Sequence, residues 1–353
     1  MATRPLSIRR VLSIQQLPSV RRLFSRPVAM RRGAMRPHGA TLMALAALVS
    51  LTITACGEQA SGGSGGVEVV ASTTVTADLA RNVVGERASV TSLLAPNSDP
   101  HDYEPAPSDA TALAEADLIV GSGGDVDLWL AELVESSGSD APRLELIDAA
   151  ETIPADADAA AAAQEADPHW WQDPRNAILA VAAIRDELIA IDPQAETLYR
   201  RNTAAYVSRL ESLDAQITTC MQQVPDNQLR LVTSHDALGY FAERYGIEVV
   251  GSTIPALSTQ AQPSAGEIAE LVDLIEAQHV EAVFPEVGVD ADLEQAVADE
   301  AGASIGGELY ADTLGSEESS GSTYLGSLAS NAKTMVAGFT NGAQSCEIGV
   351  AGS

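Results

Sequence analysis

The sequence predicts an α/β protein of two lobes, each a parallel sheet flanked by helices, joined by one long rigid helix. Two observations lead there: short apolar runs rich in β-branched residues alternate with helical patterns in both halves, and a long helical stretch separates them. Size agrees, because 353 residues with 46% apolar content are ample for one large domain or for two compact lobes that each bury a core.

In the first half, strands are expected at Glu68–Ser72, Ser89–Leu94, Leu118–Gly121 and Arg143–Ile147. Helices are expected from Val75, from Ser108 with Asp109 in the first turn, and over Trp129–Glu135. The middle reads differently. Asp173-Pro174 is an N-cap followed by proline at the first helical position, and Ile178, Val181, Ile184 and Leu188 follow at helical spacing. Asp192-Pro193 repeats the device, and Leu198, Leu210, Leu213, Ile217 and Met221 mark a stripe along a helix of about 30 residues, roughly 45 Å. Alternation then resumes, with strands at Leu229–Thr233, Glu248–Val250, Ala282–Phe284 and Ser304–Gly307. The helices between and after them are Ala237–Tyr245, Ser264–Gln278, Ala291–Ala301 and Thr323–Gly342.

This division places an N-terminal lobe at 67–173, linker helices at 174–223 and a C-terminal lobe at 224–353. Within the first lobe, 151–167 is a low-complexity flap with an alanine run and scattered acids, too poor in apolar bulk to pack. Collecting metal ions on those acids is a second reading of it.

Charge is distributed unevenly. Against 49 Asp and Glu stand 20 Lys and Arg, giving a net charge of −29, which argues against nucleic-acid binding. Yet nine arginines and no acid precede Cys56. The apolar run Thr41–Ile53 is too short to span a bilayer and suits the core of a secretory signal. Followed by Thr54-Ala55-Cys56, it resembles a bacterial lipoprotein signal occupying 1–55, with Cys56 lipidated and Met30 or Met35 as alternative starts. A flexible Gly/Ser tether, 56–66, comes next. The chain is thus expected at the extracytoplasmic face of the cell membrane, lipid-anchored and monomeric. Cys220 and Cys346 then remain in an oxidising compartment, where a disulfide between them is the economical reading and two free thiols the alternative. Closing that loop stabilises by about 5 kcal/mol in the chain-entropy picture.

Three of the five histidines follow strands or loops near prolines or acids: Pro100-His101-Asp102, Pro168-His169-Trp170 and Ser234-His235-Asp236. His38 lies in the signal, and His279 reads as an exposed helix end. The gaps between the three are too long for a zinc finger. Positions beyond the carboxyl ends of strands are where open α/β sheets bind ligands, and Asp312, after the last strand, joins them.

These motifs, with Phe284-Pro285-Glu286 and Asp312-Thr313-Leu314-Gly315, resemble those of the metal-binding proteins of bacterial zinc and manganese ABC importers, over about residues 67 to 345. The resemblance implies His101, His169, His235 and Asp312 as metal ligands between the lobes. It also implies an ABC permease and its cytoplasmic ATPase as partners. Zinc importers of the family often carry a His-rich flap, which this chain lacks, so the ion is captured either directly from free solution or by handover from a partner metallochaperone. The family's manganese branch carries a carboxylate at the third position, where this chain has His235, so the zinc-type branch is expected. Three imidazoles and one carboxylate independently suit tetrahedral Zn²⁺ better than Mn²⁺.

Glu286 and Asp236 are candidates to orient the ligands by hydrogen bonds, and Trp170, Trp171 and Tyr240 to wall the site, with plain structural roles as the alternative for each. No catalytic residue is expected: the chain's one lysine, Lys333, lacks a phosphate-binding glycine frame, and there is no His-Glu-x-x-His pair. The competing reading is a secreted zinc hydrolase, with Asp312 or Glu286 as base.

Overall fold

The computed structural model describes residues 66–155 and 166–350. The expected signal peptide 1–55, Cys56, nearly all of the expected tether and the centre of the expected flap lie outside the described residues, and no described helix is long and apolar enough to cross a membrane.

The N-terminal half runs β1 (Glu68–Ala71), α1 (Thr74–Val84), β2 (Ser89–Ser92), α2 (Pro107–Ala114), β3 (Leu118–Gly121), α3 (Trp129–Ser137) and β4 (Arg143–Glu145). Its strands form a parallel sheet in the order β2-β1-β3-β4. Two helices follow, α4 (Pro174–Ile191) and α5 (Glu196–Met221). The C-terminal half contains β5 (Arg230–His235), α6 (Gly239–Tyr245), β6 (Glu248–Ile254), α7 (Ala265–Gln278), β7 (Ala282–Val283), α8 (Asp292–Ala301), β8 (Ser304–Ile305) and α9 (Tyr324–Phe339). β5 pairs with β6 and β7 with β8, all parallel, and a bridge from Thr233 to Phe284 joins the two ribbons into the same order as the first sheet.

Local chemistry sets the helix starts. Thr73 and Thr76 form a capping box on α1, Asp173 accepts from the Arg175 amide with Pro174 opening α4, and Ser264 with Glu267 boxes α7. Strand lengths differ from expectation at both ends of the scale. Leu146–Ala149 turns into a 3₁₀ helix instead of extending β4, whereas β6 continues to Ile254 past a register shift opposite Leu231 and Val232.

The joining helix α5 has 26 residues, about 39 Å, shorter than expected. Its buried stripe starts at Tyr199 and runs through Thr203, Tyr206, Leu210, Leu213 and Ile217, while Leu198 is only half-buried. It packs against α1 of one lobe and α6 and α9 of the other.

The two halves share their main core. One main cluster runs from Val69 and Leu79 through Leu210 and Ile217 on the joining helix to Leu309 and Phe339. Smaller clusters cover one outer face of each half, around Leu113 and Ile119 in the first and Val232 and Ile275 in the second. Cys220 at the end of α5 is bonded to Cys346, a disulfide that secures the segment following α9 to the joining helix.

Candidate metal centre

Two candidate ligands stand in the same tripeptide. In Asp99-Pro100-His101 and Asp167-Pro168-His169 the aspartate accepts a hydrogen bond from the histidine's backbone amide, at 2.8 and 2.9 Å. Proline holds the middle residue extended or turned, so each short loop presents its histidine at a defined angle. His101 sits in a 3₁₀ turn beyond β2, and His169 opens the turn leading into α4. His235 is the last residue of β5, and Asp312 lies in the loop between β8 and α9.

The three imidazole Nε2 atoms converge on one carboxylate. Asp312 Oδ2 lies 3.3 Å from His101 Nε2 and 3.2 Å from His235 Nε2, and its Oδ1 lies 3.5 Å from His169 Nε2. A tetrahedron with metal–ligand bonds of about 2.05 Å has edges of about 3.3 Å. The side chains are at most 7% exposed, and none of these five atoms has a hydrogen-bond partner. Leaving one buried polar atom unpaired costs about 1–3 kcal/mol, so five facing one point form a cavity for a cation. Among the described residues this is the one group of metal-ligating side chains so disposed.

Carboxylates behind the rings decide which nitrogen faces the centre. His169 Nδ1 donates to Asp167 Oδ1 at 2.8 Å, and His235 Nδ1 donates to Glu286 Oε2 at 2.7 Å, with Glu286 Oε1 accepting from the His235 amide at 2.9 Å. Both arrangements leave Nε2 toward Asp312. Burial opposes charge on His235, but the carboxylates of Glu286 and Asp312 outweigh it and hold the imidazole pKa well above its ordinary value. Burial likewise favours a neutral Asp312, and His235 and His169 overcome it, keeping that pKa well below the usual carboxylate range.

The other candidates separate. Glu286 grips His235 directly, as just described. Tyr240 touches no ligand ring; its hydroxyl donates to the Asp167 carbonyl at 2.7 Å and accepts from Ile153 N at 3.2 Å, bracing the flap base. Trp170 is fully buried and donates to the Ser122 carbonyl, so it belongs to the core, whereas Trp171 stacks edge-on to His169 at 5.5 Å and donates to the Ala311 carbonyl at 2.9 Å. The Asp236 carboxylate makes no hydrogen bond to a ligand; burial first and Asp167 second raise its pKa. Asp167 and Asp99 are the residues missed as supports, and the repeated Asp-Pro-His was the available signal. His279 caps α7 in the left-handed conformation, exposed.

Comparison with known proteins agrees with the geometry. Residues 69–338 match the family described as zinc-uptake complex component A, periplasmic. The manganese-binding lipoprotein MntA of Halalkalibacterium halodurans is 32% identical over 296 residues, 83% of this chain and 96% of that protein. The iron-binding protein YfeA of Yersinia pestis is 30% identical over 272 residues, 77% of this chain and 86% of that protein. The solved periplasmic zinc-binding protein TroA of Treponema pallidum superposes with a TM-score of 0.71 at 28% identity, covering 77% of this chain and 98% of its own. The chain belongs to the zinc-uptake complex component A family, the metal-binding, extracytoplasmic components of ABC importers.

Proposed function

We propose that the protein captures one Zn²⁺ with His101, His169, His235 and Asp312 and hands it to the permease of an ABC importer, whose ATPase is a separate chain. A lipid on Cys56 and the tether 56–66 hold it at the outer face of the membrane. The observation that carries this reading is a set of four buried side chains, each offering a ligand atom within 4.8 Å of the others, with the three imidazole Nε2 atoms 3.2–3.5 Å from the Asp312 carboxylate and without a hydrogen-bond partner.

Relatives named for manganese, iron and zinc leave the cargo open, so the donor set supports zinc. Three imidazoles and a single carboxylate favour Zn²⁺, which accepts four ligands and binds nitrogen well, over Mn²⁺, which favours oxygen donors. Neutral imidazoles and one carboxylate leave a site charge near +1 with the ion bound. A hydrolase would keep one metal position open for water; four side chains that each offer a ligand atom within 4.8 Å of the others favour a closed binding site instead.

The test is metal analysis of the purified protein after equal exposure to Zn²⁺, Mn²⁺ and Fe²⁺. One zinc per chain is expected, falling away in His235→Ala, while His235→Asp shifts occupancy toward manganese. Manganese displacing zinc from the unaltered chain, or unchanged loading of His235→Ala, would overturn the proposal.

A further inference from the structure

The rings of His169 and His235 are gripped by carboxylates from their own halves of the chain, Asp167 and Glu286. The loops of His101 and Asp312 are held differently, by hydrogen bonds that cross between the halves. Thr259, in the loop after β6, donates to Asp99 Oδ2 at 2.6 Å, and the other oxygen of that carboxylate accepts from the His101 amide at 2.8 Å. Its neighbour Gln260 donates to the His101 carbonyl at 2.6 Å.

In the opposite sense, Trp171 Nε1 and Gln172 Nε2 both donate to the Ala311 carbonyl, at 2.9 and 2.6 Å, next to Asp312. Thr74 Oγ1 accepts from the Leu314 amide at 2.8 Å, and the Asn97 amide donates to the Leu314 carbonyl at 2.9 Å. Tyr240 adds one more crossing, to the Asp167 carbonyl. Each loop keeps a tie to its own half, Trp129 to the Pro100 carbonyl and Asn331 to the backbone of Tyr310. A loop released from across the cleft therefore stays folded but loses its aim.

We infer that each lobe positions a ligand belonging to the other: Thr259 and Gln260 hold His101 in place, and Thr74, Trp171 and Gln172 hold Asp312. These are positioning residues that do not themselves touch the ion, and the inference rests on the metal reading above. Parting the lobes breaks the hydrogen bonds that aim His101 and Asp312 together, and with the Tyr240 bond a brace behind His169 as well. His235 alone keeps its full set of supports, and one ligand cannot retain a four-coordinate ion, so separation and release are one event.

The experiment uses the full-length protein loaded with zinc, with dissociation followed by stopped-flow transfer to an excess of chelator. Thr259→Val/Gln260→Ala alters partly and fully exposed side chains, Gln172→Met is a near-isosteric change in the opposite lobe, and Ser304→Ala, which loses a bond within one half, is the control. Each loss of a crossing hydrogen bond is expected to raise the dissociation rate about fivefold, with one zinc still bound per chain and the association rate unchanged. The control keeps the wild-type rate. Dissociation within about twofold of wild type in both crossing variants, while the unaltered chain still loads one zinc, would overturn the inference alone. Failure of the unaltered chain to load zinc would overturn the metal reading and this inference with it.

Discussion

Glu286→Gln tests the electrostatics of the centre with little change of shape. Glu286 holds His235 by two hydrogen bonds, at 2.7 and 2.9 Å, and with Asp312 raises that imidazole's pKa well above 6.5. The sign follows directly. A raised pKa keeps His235 doubly protonated up to higher pH than an ordinary imidazole in the metal-free protein, and wherever it is protonated an incoming cation must expel one proton. Zinc affinity should therefore climb about tenfold per pH unit from pH 6.5 upward, levelling only above the raised pKa. With glutamine the charge is gone, the proton is held less tightly, and that climb ends at lower pH. The lost orientation lowers affinity at pH 8 by about 10- to 100-fold, or about 1.4–2.8 kcal/mol. Calorimetric titration of zinc in two buffers of different ionisation enthalpy reads the proton directly. About one proton released at pH 7 is expected from the wild type and less from Glu286→Gln. Buffer-independent heats in the wild type, or equal release from both, would refute the reasoning.

Three further outcomes follow from the packing. Zinc at a thousand times its dissociation constant should stabilise the folded chain by about 4 kcal/mol, seen as a higher thermal midpoint that Asp312→Ala abolishes. Replacing Cys220 and Cys346 together by serine opens a loop with a separation of 126 residues and should cost about 2–5 kcal/mol in denaturant unfolding while leaving one zinc bound per chain. Leu210→Ala on the joining helix, fully buried in the cluster shared by both lobes, should cost about 2–5 kcal/mol by the same measurement; a loss below about 1 kcal/mol would contradict a shared core.

The order of elements was legible because apolar periodicity and capping residues act locally. Asp173-Pro174 opened α4 where expected, and Ser264 opened α7. Limits that depend on neighbours were not. β6 runs on to Ile254 because β5 lies alongside as far as His235, and Leu146 leaves the strand path for a 3₁₀ turn that buries its side chain completely. The shared core was hidden for the same reason: which face of α5 meets both lobes depends on tertiary packing, and Tyr199 and Tyr206, aromatic but polar at one end, carry that face where Leu198 was expected.

At the site, the four converging side chains came into view through the resemblance of their motifs to a metal-binding family, since a single histidine in a loop is more often a surface or core residue than a ligand. Supports were harder to read. Glu286 stood out through its Phe-Pro-Glu setting, but the choice between Asp167 and Asp236 depends on loop geometry: Asp167 lies two residues before His169 and curls back to its ring, whereas Asp236, directly after His235, does not reach it. The crossing bonds from Thr259, Gln260 and Gln172 carry no sequence signal, because polar residues in loops look alike until the lobes face each other.

The most direct measurement is diffraction from zinc-loaded crystals at the zinc absorption edge. A single anomalous peak is expected about 2.0–2.1 Å from His101 Nε2, His169 Nε2, His235 Nε2 and an oxygen of Asp312. A peak elsewhere, or zinc bound with any of those four side chains turned away, would contradict the central claim.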